Sequence, residues 1–283
     1  MSTRICINTG DLFDKLSPKD ACAAIRAAGF DAIDWSLDAD TDRSVFEEQL
    51  ATMKKSGRSV AQASLATPLF DPDADRTAHL IEGAKALLAL CQKAGCAYLI
   101  IPPISREKQY GLGIAELRER NFTTYEALIP AAKASGVTVC LENTLVTWYG
   151  HPYAGSCTYP EEARELIDAL NEKAGQEVFG MCLNTGHLDL ARSDFYAFLY
   201  KLGDRVKTLH INDNHGVYDD RSLPMTGGVI HWDYVCRALA QNGYRGDLAL
   251  ELSLADYDTD MLASTLSLAS DCARVLRRRI GEV

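Results

Sequence analysis

The sequence has no run of 18 or more apolar residues and no pair of cysteines separated by two residues. The first absence excludes a predicted membrane-spanning helix. The second, together with an odd total of nine scattered cysteines, argues against a disulfide framework and favours reduced thiols in the core of a cytoplasmic protein. The first residues contain too short an apolar stretch for a signal peptide, which fits that expectation.

Positive charge is also scarce. The chain has 29 Lys and Arg against 39 Asp and Glu, a net charge of −10. An acidic protein is electrostatically a poor partner for nucleic acid or an anionic membrane, so we expect neither. A small-molecule partner is the remaining expectation, and a homo-oligomer is compatible with the sequence although no residue requires one.

Short apolar runs alternate eight times with segments of helical period, and no linker or low-complexity tract interrupts them. Because the runs are apolar throughout, they predict parallel strands covered on both faces. They are Arg4–Asn8, Ala32–Trp35, Ser59–Leu65, Ala97–Ile101, Val137–Glu142, Phe179–Asn184, Val206–Asn212 and Asp247–Leu252.

Eight such units in 283 residues predict one α/β domain over 1–283, a (β/α)8 TIM barrel. An open doubly wound sheet is the structural alternative, but eight units favour the barrel. Pro130 lies inside the helical segment 114–135 and predicts a kink or break there.

Four of the later strands end in side chains that could bind one metal ion: Glu142, Asn184, His210 and Glu251. They are 42, 26 and 41 residues apart, the length of one strand-and-helix unit. The C-terminal ends of barrel strands form the active site of this fold. Two carboxylates beside apolar neighbours at that end would repel each other unless a cation lies between them. The sequence therefore predicts a metal-dependent enzyme.

The motifs around these residues resemble the sugar phosphate isomerase/epimerase superfamily of xylose isomerase-like TIM barrels. The resemblance runs nearly end to end and is most specific in VTVCLEN, GMCLNTGHLDL, VKTLHINDN and DLALELS. That superfamily includes ketose 3-epimerases, hydroxypyruvate isomerase, inosose dehydratase and the endonuclease IV branch. The resemblance implies an isomerase or epimerase of a small sugar, sugar phosphate or polyol derivative.

Carried over to this sequence, the family pattern implies that Glu142, Asn184, His210 and Glu251 surround one divalent metal. It also implies that Glu142 and Glu251 are the acid/base pair, exchanging a proton with the carbon next to a carbonyl through an enediolate. His187 matches a histidine that contacts substrate oxygens in relatives.

Two other residues are predicted to contact the substrate. Arg221 could meet a phosphate or carboxylate, and Trp148 lies in the loop after the fifth strand, where its ring could stack on a sugar.

Asn184 departs from the family pattern, in which aspartate is usual at this position. An asparagine can ligate through its carbonyl oxygen, but the carboxylates fall from three to two, so we expect weaker metal binding. Oxygen-rich ligation with one imidazole favours Mn²⁺, with Mg²⁺ or Co²⁺ next, over zinc.

Three alternatives follow from the same residues. An inosose-type dehydratase, a lyase, would use the same proton abstraction. An endonuclease IV-like phosphodiesterase would need three metals and further histidines, and the second and third strands end without any. A non-catalytic sugar-binding barrel with a degenerate metal site is the third, and Asn184 is the feature that favours it.

Overall fold

Ten strands lie in the computed structural model, which describes residues 3–105 and 112–283, and eight of them form a parallel barrel. The strands are Ile5–Asn8 (β1), Ala32–Leu37 (β2), Ser59–Leu65 (β3), Tyr98–Ile100 (β4), Thr138–Glu142 (β5), Leu145–Trp148 (β6), His151–Ala154 (β7), Phe179–Asn184 (β8), Val206–His210 (β9) and Leu248–Leu250 (β10). Strands β6 and β7 pair with each other as an antiparallel hairpin apart from the barrel.

The barrel strands are adjacent in chain order, from β1 to β5 and then β8, β9 and β10, and β10 pairs with β1. Between β9 and β10 the N–H of Ile211 donates to the carbonyl of Ala249 at 2.8 Å. The N–H of Glu251 in turn donates to the carbonyl of Ile211 at 3.0 Å. These bonds join the last strand pair, and the predicted (β/α)8 TIM barrel is confirmed.

The helices begin and break at the capping and proline residues of the sequence. Ser17 accepts the N–H of Asp20 at 3.2 Å and caps the helix that Pro18 begins. The predicted break near Pro130 is confirmed, because one helix ends before it and the next begins one residue ahead of it. The α-helices are Gly10–Lys15 (α1), Pro18–Ala28 (α2), Arg43–Lys55 (α3), Ala74–Ala94 (α4), Ile114–Glu126 (α5), Ile129–Ser135 (α6), Pro160–Ala174 (α7), Thr185–Leu190 (α8), Phe195–Leu202 (α9), Trp232–Gln241 (α10) and Leu262–Gly281 (α11), and Gly203–Arg205 and Thr259–Met261 are 3₁₀ turns.

The main core lies between the barrel and its helices, where apolar side chains of both pack together. The barrel interior contains smaller groups, such as the cluster Cys6, Ala32, Ala61 and Ala249. All nine cysteines are buried and unpaired, as the sequence predicts. Among the described residues, no helix is long and apolar enough to cross a membrane.

Several local features differ from the sequence prediction, and the strands predicted to end at Asn212 and Leu252 end at His210 and Leu250. Strand β2 continues two residues further than predicted, to Leu37. The hairpin β6–β7 was not predicted, because its strands are short and largely exposed; Gly150, with a φ of 78°, supplies the turn. Helix α8 has only six residues, too few for helical periodicity to show in the sequence.

The segment that connects β9 to α10, residues 211–231, is called loop seven below and is held in place by the buried carboxylate of Asp213. This carboxylate accepts the backbone N–H of Ile230 at 3.1 Å and the indole N–H of Trp232 at 2.6 Å. A Cβ at Gly228 would lie 2.2 Å from the same carboxylate, so only glycine allows this approach. Asp213 therefore fixes the end of the loop against the barrel.

We expect Asp213→Ala to destabilise the protein strongly. The substitution leaves buried N–H donors without acceptors, which should lower the free energy of unfolding by about 2–4 kcal/mol. Urea unfolding of both proteins measures the difference, and Asp256→Ala, on an exposed loop, serves as the control. Equal stability of Asp213→Ala and the parent protein would show that loop seven does not depend on this carboxylate.

Candidate metal and acid-base site

The four predicted strand-end residues meet at the mouth of the barrel. The Nδ1 atom of His210 lies 2.7 Å from Glu142 Oε1 and 3.6 Å from Glu251 Oε2. The Nδ2 atom of Asn184 donates to the same two oxygens, at 3.0 Å to Glu142 and 3.1 Å to Glu251. Glu142, Asn184 and His210 are buried, and Glu251 is partly buried. The predicted residues are therefore one contiguous site.

The amide of Asn184 has a defined orientation. Its Oδ1 accepts the backbone N–H of His187 at 3.1 Å, which caps helix α8, and the Nδ2 of Asn212 at 3.3 Å. A rotation of the amide by 180° would place Nδ2 against both of these donors and Oδ1 against two carboxylates. The carbonyl oxygen that was predicted to ligate therefore points away from Glu142 and Glu251.

The imidazole of His210 lies between two carboxylates. Its Nε2 is 3.1 Å from Oδ2 of Asp34, a fully buried residue of β2 that the sequence reasoning missed. Asn8 and Ser64 donate to Asp34 at 3.0 and 3.2 Å and hold its orientation. The signal for Asp34 was a lone carboxylate inside the apolar run of β2, which is costly without a partner.

The surroundings of His210 stabilise a positive charge on its imidazole. Burial alone would lower the pKa of His210, but Cys182 and the carboxylates of Glu251, Glu142 and Asp34 together raise it well above the ordinary value. Burial likewise opposes ionisation of Glu142, but the charge and the hydrogen bond of His210 hold the pKa of Glu142 well below its ordinary value. Both shifts favour a protonated His210 beside an ionised Glu142 in the protein without a metal.

A second charged group lies on the opposite side of Glu251. Arg221 of loop seven donates from Nη1 to Glu251 Oε1 at 3.0 Å and from Nε to Asp219 Oδ2 at 3.1 Å. Asp219 Oδ2 also lies 3.1 Å from Nε2 of His187, whose Nδ1 is 2.9 Å from the carbonyl of Asn143. Carbonyl and carboxylate oxygens only accept, so both nitrogens of His187 carry protons and the ring is cationic.

Asp219 was not predicted from the sequence, because several acidic residues of loop seven look alike there. Its other oxygen, Oδ1, is buried and has no hydrogen-bond partner among the described residues. Burial would raise the pKa of Asp219, but His187 and Arg221 lower it to about 2. Burial would also lower the pKa of His187, and Asp219 reverses this. Arg221 itself has a φ of 45°, a left-handed conformation that the surrounding ion pairs stabilise.

Trp148 occupies the tip of the β6–β7 hairpin. Its side chain is 37% exposed, and its ring centroid lies 5.0 Å from that of Tyr149. The hairpin residues that line the cavity above the glutamates are Leu145, Thr147 and Pro152. A substrate contact by Trp148 therefore remains a prediction.

Two cavities open at the barrel mouth and share Asp219, Arg221 and Glu251 as a common wall. The first, of about 280 Å³, also contacts Glu142 and His187. The second, of about 480 Å³, extends over the ends of β1, β2 and β3 and is lined by polar groups such as Asn8, Asp11, Asp14, Ser36, Ser64 and Ser253. The site therefore opens into two cavities whose walls include polar side chains that could contact a polar molecule.

Some, but not all, of the side chains at this site have ligand atoms placed where they could bind one divalent ion. Ligand atoms of Glu142, Cys182 and His210 all lie within 4.8 Å of one another, and all three residues are buried. Asp34 would accept the second ring N–H of a metal-bound His210, an arrangement that orients histidine ligands in metal sites. Glu251 adds a second carboxylate beside His210. Asn184, as oriented, contributes no ligand atom.

This fold and this cluster define a barrel with a carboxylate and histidine site at its C-terminal mouth. Residues 22–269 match the family model described as Xylose isomerase-like TIM barrel, and the chain belongs to that family. The family predicted from the sequence is confirmed.

Two curated proteins are similar in sequence, and both are uncharacterized. Protein y4fM of Sinorhizobium fredii is 32% identical over 97 residues, 34% of this chain and 31% of that protein. Protein MJ1311 of Methanocaldococcus jannaschii is 27% identical over 140 residues, 49% of this chain and 44% of that protein. The matches span less than half the length of either relative.

Solved structures resemble this fold over nearly the whole chain. The 3-keto-D-glucoside 4-epimerase YcjR of E. coli has a TM-score of 0.74 at 16% identity, with 98% of this chain and 100% of that chain covered. D-Psicose 3-epimerase of Clostridium cellulolyticum H10 has a TM-score of 0.73 at 17% identity, covering 97% and 99%. The IOLI protein with a bound zinc atom has a TM-score of 0.74 at 18% identity, covering 99% and 98%. At these identities the likeness shows the shared fold.

The ion pair of Asp219 and His187 predicts a defined dependence of stability on pH. The pKa of Asp219 is lowered from 3.8, so its contribution is present above 3.8 and is lost as the pH falls towards about 2. The pKa of His187 is raised from 6.5, so its contribution is complete below 6.5 and is lost as the pH rises through the folded-state pKa.

Urea unfolding of the parent protein and of Asp219→Asn across this pH range tests the pair. The difference in unfolding free energy should be largest between pH 3.8 and 6.5 and should shrink on both sides. Asp256→Asn, on an exposed loop, should show no such profile. A difference that does not change with pH would show that the Asp219 and His187 charges are not coupled.

Proposed function

We propose that this protein is a divalent-metal-dependent isomerase or epimerase of a small keto sugar or related polyol derivative. The observation that carries the proposal is the convergence of two glutamates. Glu142 and Glu251 are joined by one amide, at 3.0 and 3.1 Å, and both face the first cavity. Carboxylates on either side of a bound ketose are the groups that such proton transfer needs.

In the proposed reaction one glutamate removes a proton from the carbon next to the substrate carbonyl. The other glutamate returns a proton to the opposite face, so that the configuration at that carbon is inverted. The low pKa of Glu142 keeps this carboxylate ionised before substrate binds. Arg221 and His187, both positively charged and lining the first cavity, would offset the negative charge on substrate oxygens as the enediolate forms.

Glu142, His210 and Glu251 are the residues proposed to hold the metal. When bound, the ion would polarise the substrate carbonyl and offset negative charge on the enediolate. His210 would have to release the proton from Nδ1, and Asp34 would keep the proton on Nε2 in place. Oxygen ligands with one imidazole are the basis for expecting Mn²⁺, Mg²⁺ or Co²⁺.

The charge of the cavity walls favours an unphosphorylated substrate. Among the described lining residues of the second cavity, the carboxylates of Asp11, Asp14, Asp219 and Glu251 face one guanidinium, Arg221. That guanidinium is already paired with two of these carboxylates. A phosphate dianion would be repelled there, whereas sugar hydroxyls can donate to carboxylates and exchange hydrogen bonds with Ser36, Ser64 and Ser253.

The same proton abstraction followed by loss of water would make the protein a dehydratase of an inosose-like ketone. The two reactions differ in their products, since epimerisation conserves the composition of the substrate and dehydration removes water. Product mass after incubation with ketohexoses, ketopentoses and inososes separates them.

Replacing one glutamate tests the acid/base pair. Glu251→Gln keeps the size of the side chain but cannot transfer a proton, so kcat should fall by about 100- to 10,000-fold. Circular dichroism should show an unchanged fold. Glu172→Gln, on the exposed face of α7, is the matched control. Full activity of Glu251→Gln would exclude the two-glutamate reaction.

The substitution Asn184→Asp tests the effect of the missing carboxylate. A third carboxylate beside Glu142 and Glu251 should raise the affinity for Mn²⁺ and should lower the melting temperature when EDTA removes all metal. Elemental analysis and thermal unfolding with and without EDTA measure both effects. Gln241→Glu adds the same charge at the exposed end of α10 and should change neither. An unchanged Mn²⁺ affinity would place the ion away from residue 184.

A further inference from the structure

Cys182 lies next to the site but has no role in the reaction proposed above. It precedes Asn184 by two residues on β8, so both side chains are on the same face of the strand. In the sheet register the partner of Cys182 on β5 is Glu142, and the partner of Asn184 on β9 is His210. Cys182 is therefore the direct neighbour of Glu142 inside the barrel.

The side chains of these strands are close enough to share one ion. The Sγ of Cys182, a carboxylate oxygen of Glu142 and a ring nitrogen of His210 lie within 4.8 Å of one another. In tetrahedral zinc sites the bonds to sulfur, nitrogen and oxygen are about 2.3, 2.0–2.1 and 2.0–2.2 Å, so two ligand atoms are about 3.4–3.7 Å apart. Side-chain movements of about 1 Å would bring the three atoms to that separation.

Asn184 leaves a ligand position open. Its Oδ1 is engaged by the N–H of His187 and the Nδ2 of Asn212, and its Nδ2 can only donate. Three protein ligands with a fourth position open to substrate is the usual arrangement of a catalytic zinc site. Glu142, Cys182 and His210 provide such a set, with Cys182 in place of the Glu251 named as a ligand above, and Glu251 then stays paired with Arg221.

We propose that Cys182 is a metal ligand in this protein, in the position that Asn184 does not fill. On binding, the thiol releases its proton to solvent and a sulfur–metal bond forms. Because a thiolate is a soft ligand, the preferred ion is then Zn²⁺ or Co²⁺, in place of the Mn²⁺ that an oxygen-rich site would select. The inference concerns the same site as the proposed function but does not require the substrate to be a sugar.

Cobalt reports directly on sulfur ligation. The full chain, stripped of metal with EDTA, is titrated with Co²⁺, and the near-ultraviolet spectrum is followed for the intense thiolate-to-cobalt charge-transfer band. The parent protein should show the band at one Co²⁺ per chain, and Cys182→Ser should bind Co²⁺ without it. Cys140→Ser is the matched control, because Cys140 is also buried in the barrel and packs in the same cluster as Cys182 but lies outside the ligand set.

Affinities measured by competition with a chelator complete the test. Cys182→Ser should lose at least about tenfold in Zn²⁺ affinity with little change for Mn²⁺. X-ray absorption of the zinc-loaded parent protein needs no variant and should show one sulfur at about 2.3 Å. Stoichiometric Co²⁺ without the band, or zinc with no sulfur neighbour, would overturn the inference.

The two proposals can fail separately. Epimerase activity with Mn²⁺ and no sulfur–metal bond would leave the proposed function intact and exclude Cys182 as a ligand. A clear charge-transfer band in a protein that converts no ketose would establish the ligand and exclude the function.

Discussion

The site depends on how two carboxylates, Glu142 and Glu251, are stabilised at the mouth of an apolar barrel. Two negative charges this close, one buried and one partly buried, are unfavourable unless donors or cations surround them. Here the amide of Asn184 donates to both, His210 lies against Glu142, and Arg221 pairs with Glu251. The charge that a metal would neutralise is already partly balanced by the chain itself. This balance allows the two carboxylates to lie together at the mouth of the barrel.

The rest of the fold supports that balance. The barrel brings strand ends from distant parts of the sequence to one edge, and Asp34 on β2 holds the imidazole of His210 from the opposite side. Loop seven brings Arg221 and Asp219 over the site, and it is itself fastened by Asp213. A change in Asp34, Asp219 or Arg221 would therefore alter the charge environment of the glutamates.

Much of this arrangement could be predicted from the sequence, because strand ends in a barrel converge whatever the loops do. The eight strands and the meeting of Glu142, Asn184, His210 and Glu251 followed from that rule. The orientation of the Asn184 amide did not, since it is set by the start of α8, a helix too short to show periodicity. Asp219 and Cys182 were missed because their partners lie on other strands or loops, and their residue types alone indicate nothing. A lone carboxylate in an apolar strand did signal a partner for Asp34, but that partner, His210, lies on a distant strand.

The most direct test of the account is solvent exchange at the reacting carbon. Ketohexoses and ketopentoses incubated with the metal-loaded protein in D₂O should gain deuterium at the carbon next to the carbonyl, detected by NMR, because a glutamate that removes that proton exchanges it with solvent. Conversion of a ketose into its epimer without any deuterium would contradict proton transfer by Glu142 and Glu251. Absence of both exchange and conversion across the panel would show that the carboxylate pair does not act on ketoses.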